Sequence, residues 1–154
     1  MIASLVCSFF GTVGFSVLFN VPKKYYVGCG ATGMLGWLCY CVMEPYTSDT
    51  VATFAATILV VLIARMLAVY MKTPITIFLV PGIFPLLPGA NVYYTAYYLV
   101  TNNLAAASAN GMTAVKIAFS MVLGIVLMFS VPREIFQISY WKERRSGKGT
   151  KEEE

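Results

Sequence analysis

Histidine is absent from the 154 residues, and acidic residues number only seven, none of them between residues 50 and 132. Charge of either sign is scarce at 12% of residues, about half the share that a soluble domain carries. Residues 1–22, 25–43 and 51–64 hold no charged side chain. Each absence excludes something. Without imidazole or a convincing nucleophile–base pair, the chain has no recognisable equipment for acid–base or covalent catalysis, so it is not expected to be an enzyme. Four cysteines set in apolar runs, with no histidine near them, exclude a zinc cluster and a secreted disulfide scaffold. No metal and no cofactor is expected. A chain so poor in charge is also not a nucleic-acid module. What is present is apolar: 58% hydrophobic residues and a mean hydropathy of +0.73. The chain belongs in a bilayer.

A hydrocarbon core of ~30 Å needs about 20 helical residues. Residues 1–19, 26–43, 51–71 and 112–131 are apolar runs closed by Pro, Lys, Glu or Arg. Their composition does not alternate, which excludes the strands of a membrane barrel. The first run lacks a basic flank and a small-residue cleavage site, so a retained span is expected there rather than a cleaved leader. Between residues 75 and 108 the chain stays apolar, but Pro81, Pro85 and Pro88 interrupt it, with Gly82 and Gly89 following two of them. Proline removes a backbone donor and clashes with the preceding turn. A half-helix near residues 75–80, an irregular stretch and a second helix from about Ala90 are expected. The fold class is all-α: a polytopic membrane protein of about five transmembrane helices, one broken by a Pro/Gly-rich stretch. Residues 1–134 form one transmembrane domain, and 135–154 form a disordered cytoplasmic tail.

Lys and Arg set the orientation. Five crossings with the N-terminus outside and the C-terminus cytoplasmic place ten of the eleven basic residues at or toward the cytoplasm, counting Arg65 near the end of its span. Lys116 is the exception. Residues 75–108 must then make one net crossing, either directly or as a re-entrant turn followed by a helix.

Gly28-Cys29-Gly30-Ala31-Thr32-Gly33 matches a dinucleotide fingerprint by letter, but no strand precedes it. Gly30, Gly33 and Gly36, like Gly11 and Gly14, are read as small faces where membrane helices approach closely. Cys7, Cys29, Cys39 and Cys41 are read as small buried hydrophobes. Arg65 is the only charge within its span. It either snorkels to headgroups or marks a substrate path or a charge partner. A proton-coupled transporter usually needs a carboxylate at membrane depth, and this chain has none, so either such an acid comes from another subunit or coupling uses something else.

Irregular backbone at membrane depth survives where protein buries it or where it lines a polar cavity. A helix starting after Pro88-Gly89 would aim free N–H groups and its positive dipole end into such a cavity, an arrangement suited to a substrate carboxylate. Asn91, Thr95, Tyr98 and Asn102 fall at i, i+4, i+7 and i+11, one polar stripe that either lines a solute pathway or bonds a neighbouring helix.

Three features together carry a resemblance: Phe19-Asn20-Val21-Pro22, the glycine-rich second span, and Pro85-Leu86-Leu87-Pro88-Gly89 with a tyrosine-bearing helix after it. They resemble the threonine/serine exporter (ThrE) family, and the size is that of its small, split-subunit form, the YjjB type. The resemblance covers most of residues 15–132 and omits the tail. It implies a bacterial cytoplasmic (inner) membrane protein that exports small carboxylate-bearing metabolites, threonine and serine or a dicarboxylate such as succinate. It also implies a partner, a larger ThrE-like membrane subunit that carries a soluble domain. Asn20, Pro85, Pro88 and Gly89 match the family's motifs. Asn91, Thr95, Tyr98 and Asn102 are candidates by spacing, and Arg65 by its solitary charge. The alternative is a structural or assembly subunit that stabilises a partner carrying the whole pathway.

Overall fold

The computed structural model describes residues 2–131. The expected tail, 135–154, lies outside them. Among the described residues the chain forms six α-helices and two 3-10 turns, with no strand. The helices are α1 (Ile2–Leu18), α2 (Tyr26–Met43), α3 (Asp49–Tyr70), α4 (Thr76–Ile83), α5 (Gly89–Val100) and α6 (Leu104–Ser130). The turns are Lys23–Tyr25 and Phe84–Leu86. The fold is all-α and polytopic. Helices satisfy their own backbone groups, which is what a bilayer demands of a spanning segment.

Lys23–Met43, α3 and α6 are each long and apolar enough to cross a membrane. Thr76–Leu86 and Gly89–Val100 pass that test together, as a pair bent by 49°. α1 is shorter, 17 residues, about 25 Å at 1.5 Å per residue.

Three helices end in the same way. Asn20, Lys72 and Asn102, at φ 54°, 51° and 60°, are the described non-glycine residues in the left-handed region. In each case the next residue's N–H reaches back five positions: Val21 to Ser16 at 3.0 Å, Thr73 to Ala68 at 3.0 Å and Asn103 to Tyr98 at 2.9 Å. This is the Schellman closure, which satisfies carbonyls left open by the last turn.

Small residues set the packing. A Cβ on Gly33 would collide with Thr12 of α1, and one on Gly36 with Val60 of α3. One on Gly30 would come within 2.6 Å of the Phe9 ring. The expected close approach therefore holds for these three glycines. It does not hold for Gly11 and Gly14, where an added Cβ would meet nothing within 4 Å. Both are exposed.

α3 sits at the centre, packed by α2, α4 and α6. The α3–α6 contacts fix the direction of α6. Ser120 Oγ donates to the Thr50 carbonyl (2.6 Å), Gly124 packs on Thr57 and Arg65 reaches the Met128 carbonyl. Rising numbers on one helix meet rising numbers on the other, so α3 and α6 run parallel. Residues 71–103 therefore carry the chain once, net, from one end of the bundle to the other. α4 makes the first part of that journey against α2 and α3; α5 then leaves them and packs on the first half of α6, where Thr95 faces Gly111 at 3.3 Å.

Two expected boundaries move. The first half-helix runs on through Pro81 to Ile83, and the last helix begins at Leu104 rather than near residue 112. The Asn103 side chain accepts the Ala106 N–H (3.2 Å) and caps α6 early. The polar residues that follow do not break the helix, because they bond to its own carbonyls. Ser108 donates to Ala105 (3.0 Å) and Asn110 to Ala106 (2.9 Å).

Candidate functional site

The broken segment lies at half depth of the helix beside it. Val60, midway along α3, is where an added Cβ on Gly82 would sit at 3.3 Å, and Gly36, against the same valine, also faces Leu86. The break between α4 and α5 is thus level with the middle of α3.

Its backbone is paired step by step. Pro81 has no N–H for the Ile77 carbonyl, the partner it would have in a regular helix. The Cys29 thiol donates to that carbonyl instead, Sγ to O at 3.2 Å. Cys29 is fully buried, as expected of a small hydrophobe, yet it also repairs the proline's gap. Phe84 closes the last turn of α4 by donating to the Pro81 carbonyl, and its ring stacks on Phe15 (4.1 Å) with Phe19 behind (5.4 Å). Leu87 is extended (ψ 138°), and α5 starts after Pro88 with no side chain capping its first turn. Gly89 faces open space.

Pro85 lines a cavity of about 490 Å³ with Ser4, Cys7, Ser8, Gly11 and Trp37 among its walls. Trp37 Nε1 is the one buried side-chain nitrogen or oxygen without a partner among the described residues.

The polar stripe survives for three of its four members. Asn91, Thr95 and Tyr98 are half-buried while their neighbours on α5 are exposed, and Thr95 faces Gly111 of α6. The stripe is turned toward α6. Thr95 also donates to the Asn91 carbonyl (2.6 Å). Asn102 is not on that face: it sits past the end of α5, exposed, as the left-handed residue of the closing turn. Asn20 holds the equivalent position after α1. Asparagine tolerates this conformation better than most residues, which is a backbone reason for both asparagines.

Arg65 is 8% exposed and donates to two carbonyls at the end of α6, Met128 (2.6 Å) and Val131 (2.9 Å), with its guanidinium 5.8 Å from the Phe129 ring. A cation there meets the negative end of the α6 dipole as well as open carbonyls. α5 packs on the other half of α6, so Arg65 and the start of α5 are not brought together.

Sequence reading missed a set of buried hydroxyls. Ser8, Thr12 and Ser16 on α1, Thr32 on α2, and Thr53 and Thr57 on α3 are all buried. All but Ser8 donate to the carbonyl four residues back, and Ser8 crosses to Gly33 of α2 (3.2 Å). Their four-residue spacing on α1 was the available signal.

The family model for the threonine/serine exporter, ThrE, matches residues 4–131. The chain belongs to the threonine/serine exporter family. The ThrE match takes in the turns, the break and all six helices. The chain is therefore a membrane protein of a transporter family, in line with the absence of catalytic equipment in its sequence. No curated protein and no solved structure matches it.

Proposed function

We propose that this ThrE chain is the smaller membrane subunit of a secondary exporter of small carboxylate-bearing metabolites, threonine and serine or a dicarboxylate such as succinate. The observation that carries this is the break in the span: α4 gives way to a 3-10 turn level with Val60, and α5 starts three residues after that turn without a side-chain cap. A helix start of this kind presents N–H groups and partial positive charge to an anion. In this reading the solute carboxylate passes the Gly89–Asn91 start of α5.

The partner is a larger ThrE-like subunit with a soluble domain, and it supplies the intramembrane acids this chain lacks. The exposed Tyr93, Tyr94 and Tyr97 of α5 support a partner lying on that side. The complex sits in the bacterial inner membrane, with five crossings, the N-terminus outside and the C-terminus cytoplasmic. The parallel run of α3 and α6 agrees with that count.

Efflux of labelled threonine, serine and succinate from cells expressing both subunits tests the reading. Export requires both chains, and Asn91→Leu lowers it without lowering the amount of protein. Full efflux from cells that contain only the larger subunit would instead assign this chain an assembly role. Impermeant thiol reagents should label Ser108→Cys from outside and not from the cytoplasm.

A further inference from the structure

Lys116 is the only charged residue between Lys72 and Arg133. It is exposed, and among the described residues it makes no hydrogen bond and no ion pair, with Asp49 or any other acid. It stands at one end of a groove of about 410 Å³ between α3 and α6. The walls beyond it are apolar: Val51 and Phe54 on α3, Phe119 and Leu123 on α6. Val51, Phe119 and Leu123 are exposed, so this chain leaves the groove uncovered.

The hydrogen bond from Ser120 Oγ to the Thr50 carbonyl (2.6 Å) sets the depth of the groove. Thr50 follows Asp49, the first residue of α3, and Glu44 stands in the connection before it. Carboxylates without partners do not enter hydrocarbon, so that level is the aqueous boundary. Lys116 lies one turn of α6, about 6 Å, beyond Ser120 and away from the middle of the bundle. Phe119 and Leu123 run the other way, beside Val51 and Phe54. Past Leu123 the two helices close on each other: an added Cβ on Gly124 would lie 3.2 Å from Thr57 and 3.4 Å from the Phe54 carbonyl. Charge at the boundary with apolar walls below it is the polarity of a phospholipid. A partner helix would find a trough only about two turns long, whereas an acyl chain is narrow enough to lie along it. The lysine stem is flexible and can pack on the groove while its ammonium stays at the headgroups.

We infer that this groove is a lipid site, in which one acyl chain of an anionic phospholipid lies against Val51, Phe54, Phe119 and Leu123 and the phosphate pairs with the Lys116 ammonium. In the orientation proposed above the lipid belongs to the outer leaflet. The one basic residue that departs from the cytoplasmic bias then has a partner of its own, whatever solute the chain exports.

Phe119→Trp places a fluorophore on the groove wall at an exposed position. The test reconstitutes the full chain in phosphatidylcholine vesicles and follows quenching by lipid brominated on its acyl chains, with the signal of the parent chain subtracted. Brominated phosphatidylglycerol is compared with brominated phosphatidylcholine. Half-maximal quenching of Phe119→Trp is expected at an about fivefold lower share of the anionic lipid, the preference that one lysine near a membrane surface confers. Adding Lys116→Gln should remove the preference, and adding Lys116→Arg should keep it. Val122→Trp, exposed on α6 outside the groove, should show none. Equal quenching of Phe119→Trp by the two lipids overturns the site. So does a preference that survives Lys116→Gln, or one that is as large at Val122→Trp, since either would be the pull of the whole surface on anionic lipid. A preference that disappears when the larger subunit is reconstituted with the chain would give the groove to that protein and also overturn the lipid site.

Discussion

α3 and α5 are both apolar helices that end on a left-handed residue, yet nine residues of α3 are buried and none of α5 is. The difference lies in side-chain size. The buried positions of α3 are Ala, Thr, Val and the single Arg65, so α2, α4 and α6 can all come close. α5 presents Thr95 to Gly111 on one side and three exposed tyrosines elsewhere. In lipid, apolar surface alone does not drive helices together; close packing and interhelical hydrogen bonds do. The α1–α4 bundle has both. α5 has one packed face and a turn, so fewer contacts hold it. The break between α4 and α5 is the boundary between the two regimes.

Substitutions should follow that boundary. The largest effect is expected at Gly33→Leu, which drives a side chain into Thr12 where α1 meets α2. Overpacking at such a site costs about 3 kcal/mol, visible as loss of folded protein in a thermal melt in detergent. Gly14→Ala, on the same α1 but facing open space, should melt like the parent. If both glycines respond alike, close approach is not what holds the bundle. Arg65→Leu comes next, at about 2 kcal/mol, because buried carbonyls at the end of α6 lose their donor. The change should appear as faster hydrogen exchange in the last turn of α6. A normal melt combined with abolished efflux would instead move Arg65 from packing to transport.

Cys29→Ala removes the donor that repairs Pro81 and should cost about 1 kcal/mol, with Cys29→Ser restoring most of it. Lys72→Gly relieves a left-handed lysine and should raise stability by about 0.5 kcal/mol, once the added chain entropy of glycine is counted. The smallest effect is expected on α5 itself: Tyr97→Ala, at an exposed site, should change the melt of this chain alone by less than about 0.5 kcal/mol. The same substitution should weaken co-purification with the larger subunit proposed above. A large loss of stability in the isolated chain would show α5 to be better packed than its burial implies.

Much of this was legible beforehand because bilayer and backbone rules are local. Charge-free runs marked the helices, and three prolines within eight positions marked the break. The stripe Asn91, Thr95, Tyr98 was legible from spacing alone, but its fourth member was not. A three-residue turn after Val100 takes Asn102 off the helix, and that turn depends on Asn103 capping α6. The extent of α4 was hidden for a related reason. Proline predicts a broken bond at Pro81, and only Cys29, 48 positions before the Ile77 carbonyl left open, supplies the replacement donor.

The sequence by itself determined that this is an all-α membrane protein of the ThrE family, with a broken span and long runs free of charge. Those properties rest on the cost of leaving charge or backbone groups in lipid, which each segment meets on its own. Only the tertiary structure decided which glycines are contact points and which border a cavity, that Arg65 meets the end of α6, and that the indole of Trp37 has no acceptor. Each of these depends on which atoms of distant segments arrive within a few ångströms of one another, and no periodicity within a single helix carries that information.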